Sequence, residues 1–431
     1  MAGDEKDKEV KPDKLREIFD KAIKQTKPEQ ESFTEADETI AEINALLKKN
    51  NINAVCMAGG SYAKGTILKD DFDIDLFVRF DYSYHEKEKD ISKLLGKALE
   101  PLKPELVHGS RDYYQLRKKS MKNNLLFEII PVLKIDDYKQ AVNVTDMSPL
   151  HVGYAKKSFE KNPGLRDEVR LAKQFCKAAG IYGAESYIRG FSGHVLDMLI
   201  IYYGSFENLL MQASVWGNRV IIDIEHHLKD PIKQLNKSKT QSPLIIVDPV
   251  QPDRNAAAAV GKESFETLKK IAKRFLENPG AEYFIIKKLD LKAIKARTKK
   301  NWLLVLHAKP LKGNKDVIGA KVMKCFDYIV MNLCKNEFNI LESGWEFDTD
   351  ESVLYFVVKK EKLSEKVIMQ GPPTGAKKNA EMFRKKHRKV FEKNKRLFAQ
   401  EKRKYKTPQQ LLKDIIREKY IKERLNAVKL S

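Results

Sequence analysis

Two aspartates one residue apart, Asp73 and Asp75, follow a Gly59-Gly60-Ser61 bend and open an apolar run. Residues 54–80 read AVCMAGGSYAKGTILKDDFDIDLFVRF. An apolar strand, Ala54 to Met57, enters the bend. A polar loop follows, and a second strand carries the two acids. Residues two apart on a strand share a face. The carboxylates therefore stand side by side, and Ile74 points the other way. Such a pair repels itself unless divalent cations lie between the acids, and hard oxygen ligands suit Mg²⁺. A Gly-Ser turn lets backbone N–H groups approach a phosphate. Lys64 can neutralise charge on the same triphosphate. A hairpin with two surface aspartates is the plainer alternative, because Asp-x-Asp alone is common. The bend upstream and a strand on each side favour metal-dependent nucleotidyl transfer.

A third acid fits the same chemistry. Residues 125–135, LLFEIIPVLKI, form a continuous apolar run with a single acid, Glu128. A lone carboxylate in a buried strand is costly unless paired or metal-bound. Glu128 is expected as the third metal ligand, facing Asp73 and Asp75 from a neighbouring strand. The alternative is a surface glutamate on an edge strand.

Gly60-Ser61, Lys64-Gly65-Thr66 and Asp73-Ile74-Asp75 together resemble the DNA polymerase β-like nucleotidyltransferase superfamily. The phrase GSYAKGT…DIDLFV most resembles the archaeal-type (class I) CCA-adding tRNA nucleotidyltransferases. That family usually has aspartate where this chain has Glu128. EVRLAKQFCKAAGIYGAE (168–185) resembles the family segment that supplies triphosphate contacts. Carried over singly, Lys173, Tyr182 and His151 join Gly60, Ser61 and Lys64 around the incoming nucleotide. SPLIIVDPVQPDRNAAAAV (242–260) also resembles the family, which places Arg254 beside the base. A planar fork of donors suits a base edge. Taken alone, Arg254 could instead bridge to Asp248 or Asp253.

Composition sets the outer limits. A chain of 431 residues is expected to form two to four domains, and 42% apolar content is enough for globular folding. Its 81 basic and 60 acidic residues leave a net charge of +21, which points to a polyanionic partner. Cys56, Cys176, Cys325 and Cys334 show no C-x-x-C spacing. Neither a zinc ribbon nor a disulfide framework is indicated, and a reducing cytoplasm fits. The opening MAGDEKDKEVK is charged, unlike a signal peptide. The apolar run near Leu196–Tyr203 is short and broken by Asp197, so no membrane span is expected.

Helical periodicity predicts helices over 12–26, 33–49 (with capping near Thr34) and 87–100. Another is expected from about Arg166 to Ala179, stopping at Gly180. A buried helix opens at Ser192 and ends near Gly204. A strand, a proline-rich turn and a helix from near Asn255 follow. EYFIIKKL, NWLLVLHAK, WEFDTD and SVLYFVVKKE read as strands, with VIGAKVMKCFDYIVMNLCKN a helix between them. Residues 377–406 hold fourteen Lys/Arg against three Glu, a local net of +11. Phe383, Phe391, Phe398 and Tyr405 recur at about seven residues, suggesting long helices with one packed and one basic face. Such a face would clamp RNA phosphates.

The expected class is α+β multidomain. It has a polymerase β-like nucleotidyltransferase head with a mixed sheet (1–144), a helical central domain completing the nucleotide pocket (145–280), a small α+β body (281–368) and a basic helical tail for tRNA (369–431). The resemblance implies template-independent addition of C, C and A to the tRNA 3′ end from CTP and ATP, with two Mg²⁺ held by Asp73, Asp75 and Glu128. It admits a homodimer and involves no membrane. Two alternatives remain from the residues alone. One is another polymerase of the superfamily, such as a poly(A) or oligoadenylate synthase. The other is an RNA-binding protein with a dead catalytic core.

Overall fold

The computed structural model describes residues 12–29, 33–71, 73–87, 89–119 and 124–431. Two units pack separately, Met1–Lys287 and Lys288–Ser431. Among the described residues, no helix is long and apolar enough to cross a membrane.

The first unit is built on a five-stranded mixed sheet. Its strands are β1 (Ala54–Ala58), β2 (Asp73–Phe80), β3 (Glu105–Val107), β4 (Tyr113–Lys119) and β5 (Asn124–Leu133), in the order β1-β2-β5-β4-β3. β2 and β5 run parallel, and the other pairs are antiparallel. A parallel pair needs a long crossover. Here the Ile91–Leu99 helix supplies part of it, buried through Ile91, Leu95, Ala98 and Leu99. Ile74, Leu76, Val78 and Phe80 of β2 and Phe127 and Ile129 of β5 fill the core on the same side. The alternating residues Asp73, Asp75 and Glu128 are left for the opposite face.

The Pro12–Thr26 helix has its expected bounds. The Thr34–Lys49 helix is entered at Phe33 with no side-chain cap, so Thr34 is not the capping residue. Between β1 and β2 the bend continues into one helical turn, Gly60–Lys64, closed by Gly65 at φ 68°.

A second core in this unit is helical. The Leu165–Ala178, Gly193–Tyr203, Phe206–Val215 and Lys262–Glu277 helices pack through Phe175, Phe191, Phe206, Phe265 and Phe275. Ser192 caps the Gly193–Tyr203 helix by accepting from the Val195 N–H, and Gly204 ends it. A two-stranded parallel sheet, β6 (Val220–Asp223) and β7 (Leu244–Val247), lies alongside. No helix begins at Asn255. Its side chain instead stitches the turn to β7, accepting from the Ile246 and Ala257 N–H groups at 2.9 Å each. The next helix starts at Lys262. EYFIIKKL is not a strand either: Phe284 is buried in the helical core from a short 3₁₀ turn, while Ile285 and Ile286 are exposed.

The second unit has a four-stranded antiparallel sheet. It contains β8 (Trp302–Pro310), β9 (Ile340–Glu346) and β10 (Ser352–Val358), and its order is completed as β14-β8-β10-β9 by β14 (Leu425–Leu430). The Lys315–Lys335 helix covers it through Val322, Cys325, Ile329 and Leu333. The basic segment is not a run of long helices. It folds as β11 (Lys366–Pro373), the Lys377–Lys386 helix, and a β12 (Val390–Lys393) to β13 (Arg396–Lys402) hairpin. Phe391 pairs directly with Phe398 across that hairpin, with ring centroids 5.7 Å apart. The seven-residue interval therefore measures a hairpin rather than a heptad. Asn394 and Lys395 turn the corner with φ of 49° and 57°, the sign a tight two-residue hairpin turn requires.

Candidate active site

The β2/β5 register sets Asp75 directly opposite Glu128, and Asp73 opposite Leu126. Partners across a parallel pair point to the same face, so the three carboxylates share one surface. The Asp75 carboxyl is raised to about 6, first by burial and then by the charge on Glu128. Glu128 accepts a hydrogen bond from Gln115 Nε2 at 2.9 Å, which orients it from β4. Asp75 and Glu128 are half-buried and Asp73 is exposed; like charges with oxygen donors on one face are what a hard divalent cation would offset.

Gly60 is fitted against this seat. Its φ is 48°, and a Cβ there would lie 1.7 Å from Asp75 Oδ2. The Gly59 N–H holds the Asp75 carbonyl at 2.8 Å. The bend is thus pinned to the acid strand by backbone, and glycine is needed for both space and dihedral. Ser61 lies on the following helical turn and is partly exposed.

A cavity of about 630 Å³ opens in front of Gly60 and Asp75, while Ser61, Asp73 and Glu128 are not among the residues that line it. Gly60, Lys64, Asp75, His151, His194 and Arg254 are among those lining it. The structure therefore brings five expected residues to one space: Gly60, Lys64, Asp75, His151 and Arg254. Lys64 is nearly buried and ion-paired to Asp197, itself fully buried with one oxygen unpartnered. Arg254 bonds Asp248 at 3.1 Å with one nitrogen, yet its side chain is 40% exposed, leaving most of the fork free. The salt bridge and the pocket-facing role are both compatible with that pose.

Lys173 and Tyr182 lie behind this wall, outside the residues that line it. Lys173 is 1% exposed, and its ammonium donates to the Thr66 carbonyl at 2.9 Å and hydroxyl at 3.2 Å. Burial lowers its pKa to about 8. With Arg166 on the Lys64 carbonyl and Arg170 on those of Gly65 and Ile67, it clamps the loop that carries Lys64. Positions 166, 170 and 173 lie on one helical face, so one helix holds the whole loop. Burial pushes the Tyr182 phenol up, keeping it a neutral donor. A Cβ on Gly193 would lie 3.3 Å from its hydroxyl, so the phenol sits at the start of the Gly193–Tyr203 helix.

One member of the wall, His194, was not expected from the sequence, and two buried acids stand behind the wall. Asp248 is fully buried and gathers His151, His194 and Arg254. Neighbouring imidazoles hold its carboxyl well below the usual range, although burial opposes them. Burial in turn lowers the His151 pKa. Asp197 announced itself as an acid inside an apolar run, which implies a buried partner. Asp248 was foreseen only as a bridge to Arg254, and His194 carried no local signal.

A nucleotidyltransferase domain model matches residues 40–132. A model for the second domain of tRNA nucleotidyltransferase matches 167–285, and one for the C-terminal domain of CCA-adding enzyme matches 300–424. The CCA-adding enzyme of Methanocaldococcus jannaschii is 33% identical over 423 residues, covering 93% of this chain and 91% of its own. That of Nanoarchaeum equitans is 34% identical over 378 residues, covering 86% and 90%. A solved structure of the RNA terminal uridylyl transferase Cid1 aligns with a TM-score of 0.52 at 13% identity. It covers 64% of this chain and 99% of its own, a likeness of fold. With relatives above 30% identity matched over about nine-tenths of their length, and with the second-domain and C-terminal models matched in turn, the chain belongs to the CCA-adding enzyme family of nucleotidyltransferases.

Proposed function

We propose that the chain adds C, C and A to the 3′ end of tRNA without a template, using CTP and ATP and releasing pyrophosphate. The observation that carries this is the pairing of Asp75 with Glu128, beside a glycine that a side chain could not replace. Asp73, Asp75 and Glu128 are the residues that would hold two Mg²⁺. When bound, such ions activate the RNA 3′-hydroxyl and offset charge on the departing pyrophosphate.

The protein's own groups do the positioning. Gly60 and Ser61 offer backbone N–H groups and a hydroxyl to the phosphates, and Lys64 offers its ammonium once released from Asp197. His151 donates from the opposite wall. Lys173 acts from behind, fixing the 64–67 loop, and Tyr182 presents a neutral phenol at a helix start. Arg254, steadied by Asp248, turns its free nitrogens to the base. Positioning of this kind supplies much of the rate in nucleotidyl transfer. The second unit's basic hairpin and helix bind tRNA through phosphates and shape. The proposed setting is the cytoplasm, and assembly as a homodimer is part of the same reading.

The test is incorporation of labelled CTP and ATP into tRNA trimmed to its discriminator nucleotide, resolved on a gel. Two cytidines and one adenosine are expected, then a stop. Use of ATP alone, indifferent to CTP, would make the chain an adenylate polymerase. RNA binding without pyrophosphate release from any nucleotide would make the core a dead one.

A further inference from the structure

Asp248 gathers a second ligand set, of which the proposed nucleotide pocket uses His151 alone. Its Oδ2 lies 3.0 Å from His151 Nε2 and 3.4 Å from His194 Nε2. One ligand atom from each of the three residues falls within 4.8 Å of the others. In a tetrahedral site with metal–ligand bonds of roughly 2.0–2.1 Å, neighbouring ligand atoms are about 3.3 Å apart. Both measured edges are near that length. Asp248 Oδ1 is already fixed by the Val250 and Gln251 N–H groups at 3.0 and 3.1 Å, the outer-shell support that metal carboxylates use.

The metal-free bonding is also frustrated. His151 Nε2 needs a proton to bond Asp248, yet Arg254 Nη1, which can only donate, approaches the same nitrogen at 3.4 Å. One tautomer cannot serve both. Gln251, in the same cavity wall, has a buried Oε1 with no hydrogen-bond partner. The wall therefore has two imidazoles, a fixed carboxylate and a spare oxygen donor. Nitrogen ligands select borderline cations over Mg²⁺.

We propose that His151, His194 and Asp248 bind a divalent transition-metal ion, Zn²⁺ or Co²⁺, and that this ion competes with Arg254 for Asp248 and so antagonises nucleotide entry. The antagonism rests on the reading of Arg254 and His151 as nucleotide-facing residues; the metal site does not.

The experiment uses the full chain, stripped with EDTA, without nucleotide. Titration with Co²⁺ is expected to give the strong visible absorption of four-coordinate cobalt at one equivalent, bleached by Zn²⁺. The band should persist in Asp75→Asn and vanish in His194→Gln. Arg254→Ala, which removes the competing guanidinium, should bind Co²⁺ more tightly than the parent, a gain that no folding defect produces. A parent chain with no band, or a band lost in Asp75→Asn but kept in His194→Gln, overturns the site. In the incorporation assay, Zn²⁺ at ten times its dissociation constant should raise the apparent KM for CTP about elevenfold, as mass action gives for exclusive competition. Zn²⁺ bound with KM unchanged overturns the antagonism while leaving the site. A chain that binds Co²⁺ as described but transfers no nucleotide fails the proposed function alone.

Discussion

Replacing Asp75 with asparagine should destroy activity and stabilise the metal-free fold. In the folded chain the Asp75 carboxyl titrates at about 6, against 3.8 when unperturbed, because it is buried beside Glu128. The native state therefore binds the proton more tightly than the unfolded state, and stability falls as pH rises from about 4 to about 6. Above pH 6 the whole penalty is present. Two pKa units correspond to about 3 kcal/mol at 1.36 kcal/mol per unit. For a unit spanning Met1–Lys287, at about 2.1 cal/mol/K of unfolding entropy per residue, that corresponds to roughly 5 °C in Tm. Asp75→Asn removes the charge and keeps the shape. The assay is thermal melting of parent and variant in EDTA from pH 4 to pH 8. The two should coincide near pH 4, diverge through pH 6 and stay apart above it, with the variant the more stable. Mg²⁺ should raise the parent at pH 8 far more than the variant. Incorporation should vanish while tRNA binding persists. A variant that melts below the parent at pH 8 in EDTA, or a gap that does not grow between pH 4 and 6, refutes the electrostatic reasoning.

Gly60→Ala forces a Cβ to within 1.7 Å of Asp75 Oδ2 at a positive φ, so it should cost about 1–3 kcal/mol and drop incorporation below detection, read by melting and by the gel assay. Arg254→Lys keeps the charge and loses the fork, so discrimination between CTP and ATP should weaken by about 1–3 kcal/mol, measured as the ratio of kcat/KM values. Lys386→Glu with Arg388→Glu, beside the basic hairpin, should weaken tRNA binding and flatten its salt dependence by about one unit of log–log slope per lost phosphate contact.

The acidic face was legible because its rule is local. Alternation along a strand puts Asp73 and Asp75 together whatever the rest of the chain does. A lone acid in 125–135 pointed to Glu128 by the cost of burying it. The parallel register that unites them was not in the sequence as such; it depends on a crossover through β3 and β4. Periodicity failed at residues 391 and 398, where an interval of seven fits both a heptad and a two-residue hairpin. The Asn394-Lys395 corner was the overlooked discriminator. Asn255 looked like a helix start because it precedes four alanines, yet its amide had better partners on β7. His194 went unnoticed because its meaning is mutual: Asp248, foreseen only as a bridge to Arg254, lies 54 residues away, and the pair has no meaning until the fold joins them. Lys173, expected at the phosphates, gives its ammonium to the Thr66 carbonyl, a contact that no local pattern announced.

The most direct test of the central claim is anomalous diffraction from crystals grown with Mn²⁺ and a non-hydrolysable CTP analogue. Mn²⁺ peaks are expected at the carboxylates of Asp73, Asp75 and Glu128, which would hold the ions. Peaks elsewhere, with Glu128 turned away from the ion and still held by Gln115, would contradict that claim.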